Sequence, residues 1–332
     1  MTLIPTTKPA RFSRGARTDF IGRHFGVLSI LVVFAVLFIF FSARADAFLT
    51  TENLVNVARQ IAPTVVVAMG MTFVITTGAI DLSVGSIVGL TAASLALLAK
   101  TGNPVLALVL TLLIGAFIGV INGVLTAYGR LQSFIVTLAA LTAVRGVALL
   151  ITQGYSTPIE SSFLLPLGNG KFLGLYTPTW MAIAMVAVAW YVFTRTRFGR
   201  YVTAVGSNAE SLRRSGVDIR RIQMSVLIIT GVLAAGAGII TATRLASGSS
   251  NSGTMFELEV ITAVVLGGTS LMGGRGSILG SAIGALTLGI ISNGLVLLRV
   301  DVYWVPIVQG SILIVAILLN SKLFARLVRS RR

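Results

Sequence analysis

A chain of 332 residues that is 55% hydrophobic and only 11% charged lies far below the roughly 25% charged residues of soluble domains; its repeated apolar runs mark an all-α integral membrane protein. With no cysteine and a single histidine, His24, in the N-terminal tail, it has no disulfide, no thiolate metal site and no histidine chemistry in its core. The net charge of +16 gathers in short polar segments between apolar runs, as the positive-inside rule expects, so no folded basic face is left for nucleic acid.

Residues 1–25 form a basic tail with Lys8, Arg11, Arg14, Arg17 and Arg23. The run 26–43 reads as an uncleaved first span, since no soluble domain stands behind the weak cleavage-like stretch 42–45. A polar connection, 44–60, leads to a second run at 61–77 and a third at 84–99, both short for a full crossing. Between them lies a break at 78–83 containing Asp81. That carboxylate either caps the helix beginning near Ser83, gaining from the helix dipole, or lines a passage. The fourth run is 105–128 and the fifth 133–153. A loop of mixed polarity, 154–177, carries Pro158, Pro166, Gly168 and Gly170. The sixth run is 178–194, and the most basic interior segment, 195–221, follows. Further runs at 222–246, 258–273, 277–298 and 303–320 make about ten, and a basic tail, 321–332, closes the chain.

With the N-terminus inside, nineteen Lys and Arg fall on inner segments and five on outer ones, which predicts an N-in, C-in topology. The break at 78–83 then faces the inner side or dips into the membrane from it, so its carboxylate is expected to hold the break. Residues 115–123 resemble 284–294 with an insertion, on runs of opposite direction, which is the pattern of an inverted repeat. Within the basic segment, Ser207, Asn208, Ala209 and Glu210 fit a capping box. Ser207 would reach a backbone N–H, Glu210 would reach back, and Gly216 would end a helix over about 208–215. Two turns are too few to stand alone in water, so neighbours or a docked partner must hold them.

Asn122, Thr137 and Asn293 are uncharged hydrogen-bonding groups on apolar runs, suited either to brief contact with hydroxyls or to bonds between helices. Phe134 suits a gate or a lipid-facing position. Glu257 and Glu259 are expected at the outer face, where they would meet a partner or cap the run that begins at 258. No Gly-x-x-x-x-Gly-Lys-Ser/Thr stretch occurs, and no chain of intramembrane carboxylates, so either the protein is passive or its energy comes from another subunit.

The stretch GMTFVITTGAIDLSVGSIVGL at 70–90 resembles the signature of ABC-importer permeases of the ribose/sugar type, close to GMTxVIxTGGIDLSVG, with Ala79 where glycine is usual. The resemblance continues at 134–138 with Arg145 and Gly146, at 196–200, at 204–208, at 257–259 and through 263–277, covering roughly 50–320. It implies a type II importer-like subunit of ten helices in the bacterial inner membrane, paired with a second permease subunit as a homo- or heterodimer. It implies ABC ATPase subunits beneath, carrying ATP and Mg, and a periplasmic sugar-binding protein above, touched by Glu257 and Glu259. This chain would itself bind no cofactor and catalyse no reaction. The stretch Ser207, Asn208, Ala209, Glu210, Ser211, Leu212, Arg213, Arg214 and Gly216 would be the coupling element. Here the family commonly carries two alanines in place of Glu210 and Ser211, and Arg213 and Arg214 are added charge. Asp81, Ser83, Asn122, Phe134, Thr137 and Asn293 would frame or line the path of a monosaccharide. A branched-chain amino acid, a nucleoside or a signalling furanose are alternative cargoes, and a passive facilitator is the alternative mechanism.

Overall fold

A computed structural model of the chain describes residues 15–301, 303–312 and 314, with side chains from residue 28. The tail over 1–14, the closing tail 321–332 and most of the expected run 303–320 lie outside the described residues. Eleven helices are present among those described: α1 Gly15–Arg44, α2 Thr51–Thr76, α3 Val84–Ala99, α4 Pro104–Ala127, α5 Ser133–Thr152, α6 Leu165–Asn169, α7 Thr177–Arg195, α8 Arg197–Arg214, α9 Ile219–Arg244, α10 Phe256–Leu266 and α11 Ile278–Leu297. A further helical stretch occupies 304–312. Six of these helices, α2, α4, α5, α7, α9 and α11, are long and apolar enough to cross a membrane.

The expected polar connection 44–60 is helical beyond residue 50. Thr50 accepts the N–H of Asn53, Glu52 occupies the first turn, and the polar residues there are partly exposed. The basic segment 195–221 is likewise mostly helix, with Thr196 accepting the N–H of Gly199 at the start of α8. The expected run 258–273 is shorter as a helix, because α10 stops at Leu266 and Gly268, Gly273 and Gly274 take positive φ.

Every residue of α2 from Ile61 to Thr76 is buried, as is every residue of α3 from Val84 to Ala96. Helices that are apolar on all sides belong at the centre of a bundle. Around them, α9 packs on α2, α3 and α4, α11 packs on α2 and α10, and α5 packs on α3. Apolar faces of α1, α4, α5 and α7 are exposed, as a bilayer requires. Two short antiparallel pairs, β1 Thr157–Pro158 with β4 Ser247–Gly248 and β2 Lys171–Phe172 with β3 Leu175–Tyr176, tie down the 154–177 loop.

In lipid, helices gain little by hiding apolar side chains, so close backbone approach does the work. On α4, Gly115, Gly119 and Gly123 lie one turn apart and face Gly231, Leu227, Ile228 and Met224 of α9. A Cβ at Gly115 would collide with the Gly231 carbonyl, and one at Gly231 with the Gly115 carbonyl. Gly231→Leu is therefore expected to lower stability by about 2–3 kcal/mol through overpacking. Gly236→Ala, on the same helix with open space at its Cβ, should leave the thermal midpoint at or above that of the parent, since alanine favours helix over glycine. Thermal unfolding in detergent checks the pair.

Candidate functional site at two broken crossings

The first break follows α2. Thr76 ends the helix, Gly78 turns the chain at φ 84°, and residues 79–83 run without helix to α3. The backbone of Ile80 is clasped from α5: its N–H donates to Ser133 Oγ at 3.1 Å, and its carbonyl lies 3.1 Å from the Thr137 hydroxyl. Asp81 Oδ1 accepts the Ser83 N–H at 2.9 Å and the Ser83 hydroxyl at 2.6 Å. Asn122 on α4 donates Nδ2 to Ser83 Oγ at 2.9 Å. Asp81, Ser83, Asn122 and Thr137 are all buried. Asp81 thus fastens Ser83, the residue ahead of α3, in a local turn, and no hydrogen bond from it to the first turn of α3 is seen among the described residues. Of the two expected places for the break, the inner side or a dip from it, the structure fits the dip: residues 79–83 fold back among α3, α4 and α5, and Asp81 is enclosed. Asp81 Oδ2 and Asn122 Oδ1 have no partner among the described residues.

The second break follows α9. Residues 249–255 run without helix alongside α3 before α10 begins. Gly248 lies against Ala92 and Ala96, the carbonyls of Ser250 and Ser252 against Gly89, and Gly253 and Glu257 against Gly85. Arg145 of α5 reaches across. Its Nη1 donates to the carbonyls of Ser250 at 2.5 Å and Ser252 at 3.1 Å, and its Nη2 to that of Gly253 at 3.1 Å.

Thr64 of α2 donates its hydroxyl to Glu259 Oε1 at 2.9 Å. At 1.5 Å per residue, Thr64 is about 20 Å from the Thr51 end of α2 and about 18 Å from its Thr76 end. Glu257 and Glu259 therefore stand at mid-height in the bundle, and Glu257 is buried. Their expected place at the outer face is incorrect, because the chain descends beyond α9 before it turns helical.

The basic segment meets the first break. α8 kinks at Asn208 (φ −161°, ψ 88°), and it is Asn208 Oδ1, not Ser207, that accepts the Ser211 N–H at 2.9 Å. Ser207 instead donates to the Thr203 carbonyl at 2.8 Å, with the Gly274 carbonyl 3.4 Å away. Glu210 does not reach back either. Arg213 and Arg214 draw it forward at 2.7 and 3.3 Å, and their hydrogen bonds hold its carboxyl below the usual carboxylate range. The capping box is thus replaced by a single Asn cap one residue later, while Gly216 takes φ 80° and ends the turn as expected. Gly274 donates its N–H to the carbonyl of Thr76 at 2.9 Å, and a Cβ at Gly206 would collide with that same carbonyl. The basic stretch therefore rests on the last residue of α2, directly before the break.

Two residues named from sequence lie elsewhere. Phe134 is 48% exposed on the apolar face of α5. Asn293 exchanges reciprocal amide bonds with Asn53, at 2.9 and 3.0 Å, about 35 Å along α2 from the first break by helix rise. Sequence reasoning passed over Ser133 and gave Arg145 no role. A guanidinium within an otherwise apolar run was the available signal.

Residues 53–317 match the family model described as branched-chain amino acid transport system / permease component. The chain is 41% identical over 303 residues to the ribose import permease protein RbsC of Escherichia coli (strain K12), covering 89% of this chain and 92% of that one. It is 36% identical over 315 residues to the L-arabinose ABC transporter permease protein AraH of Azospirillum brasilense, with 94% and 91% covered. Against the xylose transport system permease protein XylH of Escherichia coli (strain K12) it is 33% identical over 355 residues, with 88% and 90% covered.

Replacing Asp81 by Ala strands the buried amide and hydroxyl of Ser83, at an expected cost of about 2 kcal/mol. Phe134→Ala, on the exposed face, is expected to change stability by less than about 0.5 kcal/mol. Thermal unfolding of the two variants against the parent measures the difference.

Proposed function

The chain belongs to the branched-chain amino acid transport system / permease component family, and we propose that it is the membrane subunit of an ATP-driven importer whose cargo is a monosaccharide of the pentose class. The observation that carries this reading is the junction of Ser207, Gly274 and Thr76, where the basic stretch touches the end of α2 beside the first break. A partner that moved this stretch would act on the break directly. The chain has no phosphate-binding loop of its own, so its energy would come from a separate ABC ATPase that holds ATP and Mg. The pentose class follows from the ribose, arabinose and xylose in the names of the relatives.

In this reading α1, the two broken crossings through α3 and α10, the stretch beginning at 304, and the six long helices make ten crossings. Both chain ends and the basic stretch face the cytoplasm of a bacterial inner membrane. An inverted repeat relates α2, α3 and α4 to α9, α10 and α11. In each set a long helix, a break, a shorter helix and a long helix follow in order, and α4 packs on α9 as α11 packs on α2. Such repeats place a pathway near the midplane at their interface. A second permease subunit would complete the passage. A periplasmic sugar-binding protein would dock at the Thr51 end, on exposed polar positions such as Glu52 and Asn56, in place of the buried Glu257 and half-buried Glu259.

Reconstituted with its ATPase and binding protein, the chain is expected to take up labelled D-ribose, L-arabinose or D-xylose only when ATP is present. Uptake by the chain alone, without any ATPase, would contradict the reading. Glu210→Arg abolishes both ion pairs and sets three like charges on one turn. It is expected to leave membrane insertion intact and to cut co-purification of the ATPase at least tenfold, as checked by affinity pull-down from solubilised membranes.

A further inference from the structure

Non-helical backbone persists at membrane depth only where protein buries it or where it lines a water-filled space. The first break obeys the former condition, since residues 79–83 are buried apart from half-buried Ile80. The second does not. Gly253 sits beside Gly85, and Glu259 bonds Thr64 at mid-height, yet Asn251, Thr254 and Met255 are exposed, Met255 by 57%. One edge of this crossing is held and the other is open.

The held edge belongs to Arg145. Its guanidinium donates to three carbonyls within four residues, those of Ser250, Ser252 and Gly253, the last of which also accepts the Phe256 N–H. A planar fork with several donors suits this task, whereas an ammonium acts as a single point. The open edge then carries an amide at Asn251, the thioether of Met255 and the Thr254 hydroxyl, which donates to the Asn251 carbonyl at 2.7 Å and keeps its oxygen free to accept. Uncharged donors and acceptors beside a soft apolar group suit a neutral polyol that must bind weakly and leave.

We propose that Asn251, Thr254 and Met255 form a wall of the passage through which the sugar moves, and that Arg145 is the positioning residue holding that wall in place. This rests on the permease reading for the nature of the cargo, while the wall itself rests on depth and exposure.

The absence of cysteine from the natural sequence makes the test direct. Thr254→Cys in the full complex in membranes is treated with a small charged methanethiosulfonate. Its reaction is compared with that of Phe117→Cys, on the exposed apolar face of α4. The expected result is reaction at Thr254→Cys at least tenfold faster than at Phe117→Cys, with loss of sugar uptake on modification. Equal rates, or fast reaction with uptake untouched, would overturn the wall.

For Arg145, the Arg145→Gln and Arg145→Lys variants are followed by deuterium exchange of peptides spanning 247–256, and by uptake at varied sugar concentration. Faster exchange is expected in both variants, with the maximal uptake rate down at least tenfold and the half-saturating concentration within twofold of the parent. Unchanged exchange, or full activity in Arg145→Gln, would overturn the positioning role. Should the parent complex itself fail to take up pentoses, the cargo assignment fails, and thiol reaction and exchange still decide the wall and its clamp.

Discussion

Inside a bilayer every backbone N–H and C=O needs a partner supplied by the protein, and the two places where this chain abandons helix within the bundle are where that requirement is felt. Residues 79–83 and 249–255 pair some of their amides and carbonyls in turns, and specific side chains close others: Ser133 and Thr137 at Ile80, Asp81 at Ser83, and Arg145 at Ser250, Ser252 and Gly253. Most of these come from one helix. α5 grips the first break with its first turn and the second break three turns later, while its other face is apolar and exposed. A shift of α5 would disturb both breaks at once, and the buried network of Asp81, Ser83 and Asn122 ties the first of them to α4 as well.

The remaining packing keeps these breaks in register. α2 from Ile61 and α3 as far as Ala96 are enclosed on all sides, so the break between them and the second break alongside α3 cannot drift sideways. The Gly115–Gly231 contact brings α4 and α9 close enough for backbone to touch backbone, fixing the helix that carries Asn122 against the helix that leads into the second break. At the far end of the first break, Gly206 and Gly274 press on the Thr76 carbonyl. One direct route from the basic stretch into the bundle therefore arrives at the residue where α2 stops. A force applied to Asn208–Arg214 has that residue as its first point of purchase.

Much of this was legible in the sequence, and the exceptions share a cause. Long apolar runs located the helices, because lipid tolerates little else. Gly78 and Asp81 announced the first break, since a left-handed turn and a carboxylate seldom interrupt apolar runs without structural purpose. The second break was not legible. Residues 247–254 are Ser, Gly, Asn and Thr almost throughout, the composition of a surface loop, and only the packing against Gly85 and Gly89 places them at depth. Glu257 and Glu259 misled for the same reason: a pair of acids after a polar loop reads as an exposed helix start, and only the Thr64 hydrogen bond reveals the level they occupy. The cap of the basic stretch was displaced by one residue because Ser207 and Asn208 are both good caps, and the choice falls to whichever is not already engaged. Ser207 is engaged by Thr203 and lies beside Gly274.

Depth is what all of this turns on, and it can be measured directly. An electron cryomicroscopy map of the protein in a lipid nanodisc would show both headgroup layers beside the bundle. The expected result places the Thr64–Glu259 hydrogen bond and the Gly85–Gly253 contact within the middle third of the hydrocarbon region, with the extended chain of 249–255 descending to that level. Finding Gly253 and Glu257 at the headgroup layer would contradict the view that two broken crossings meet inside the membrane.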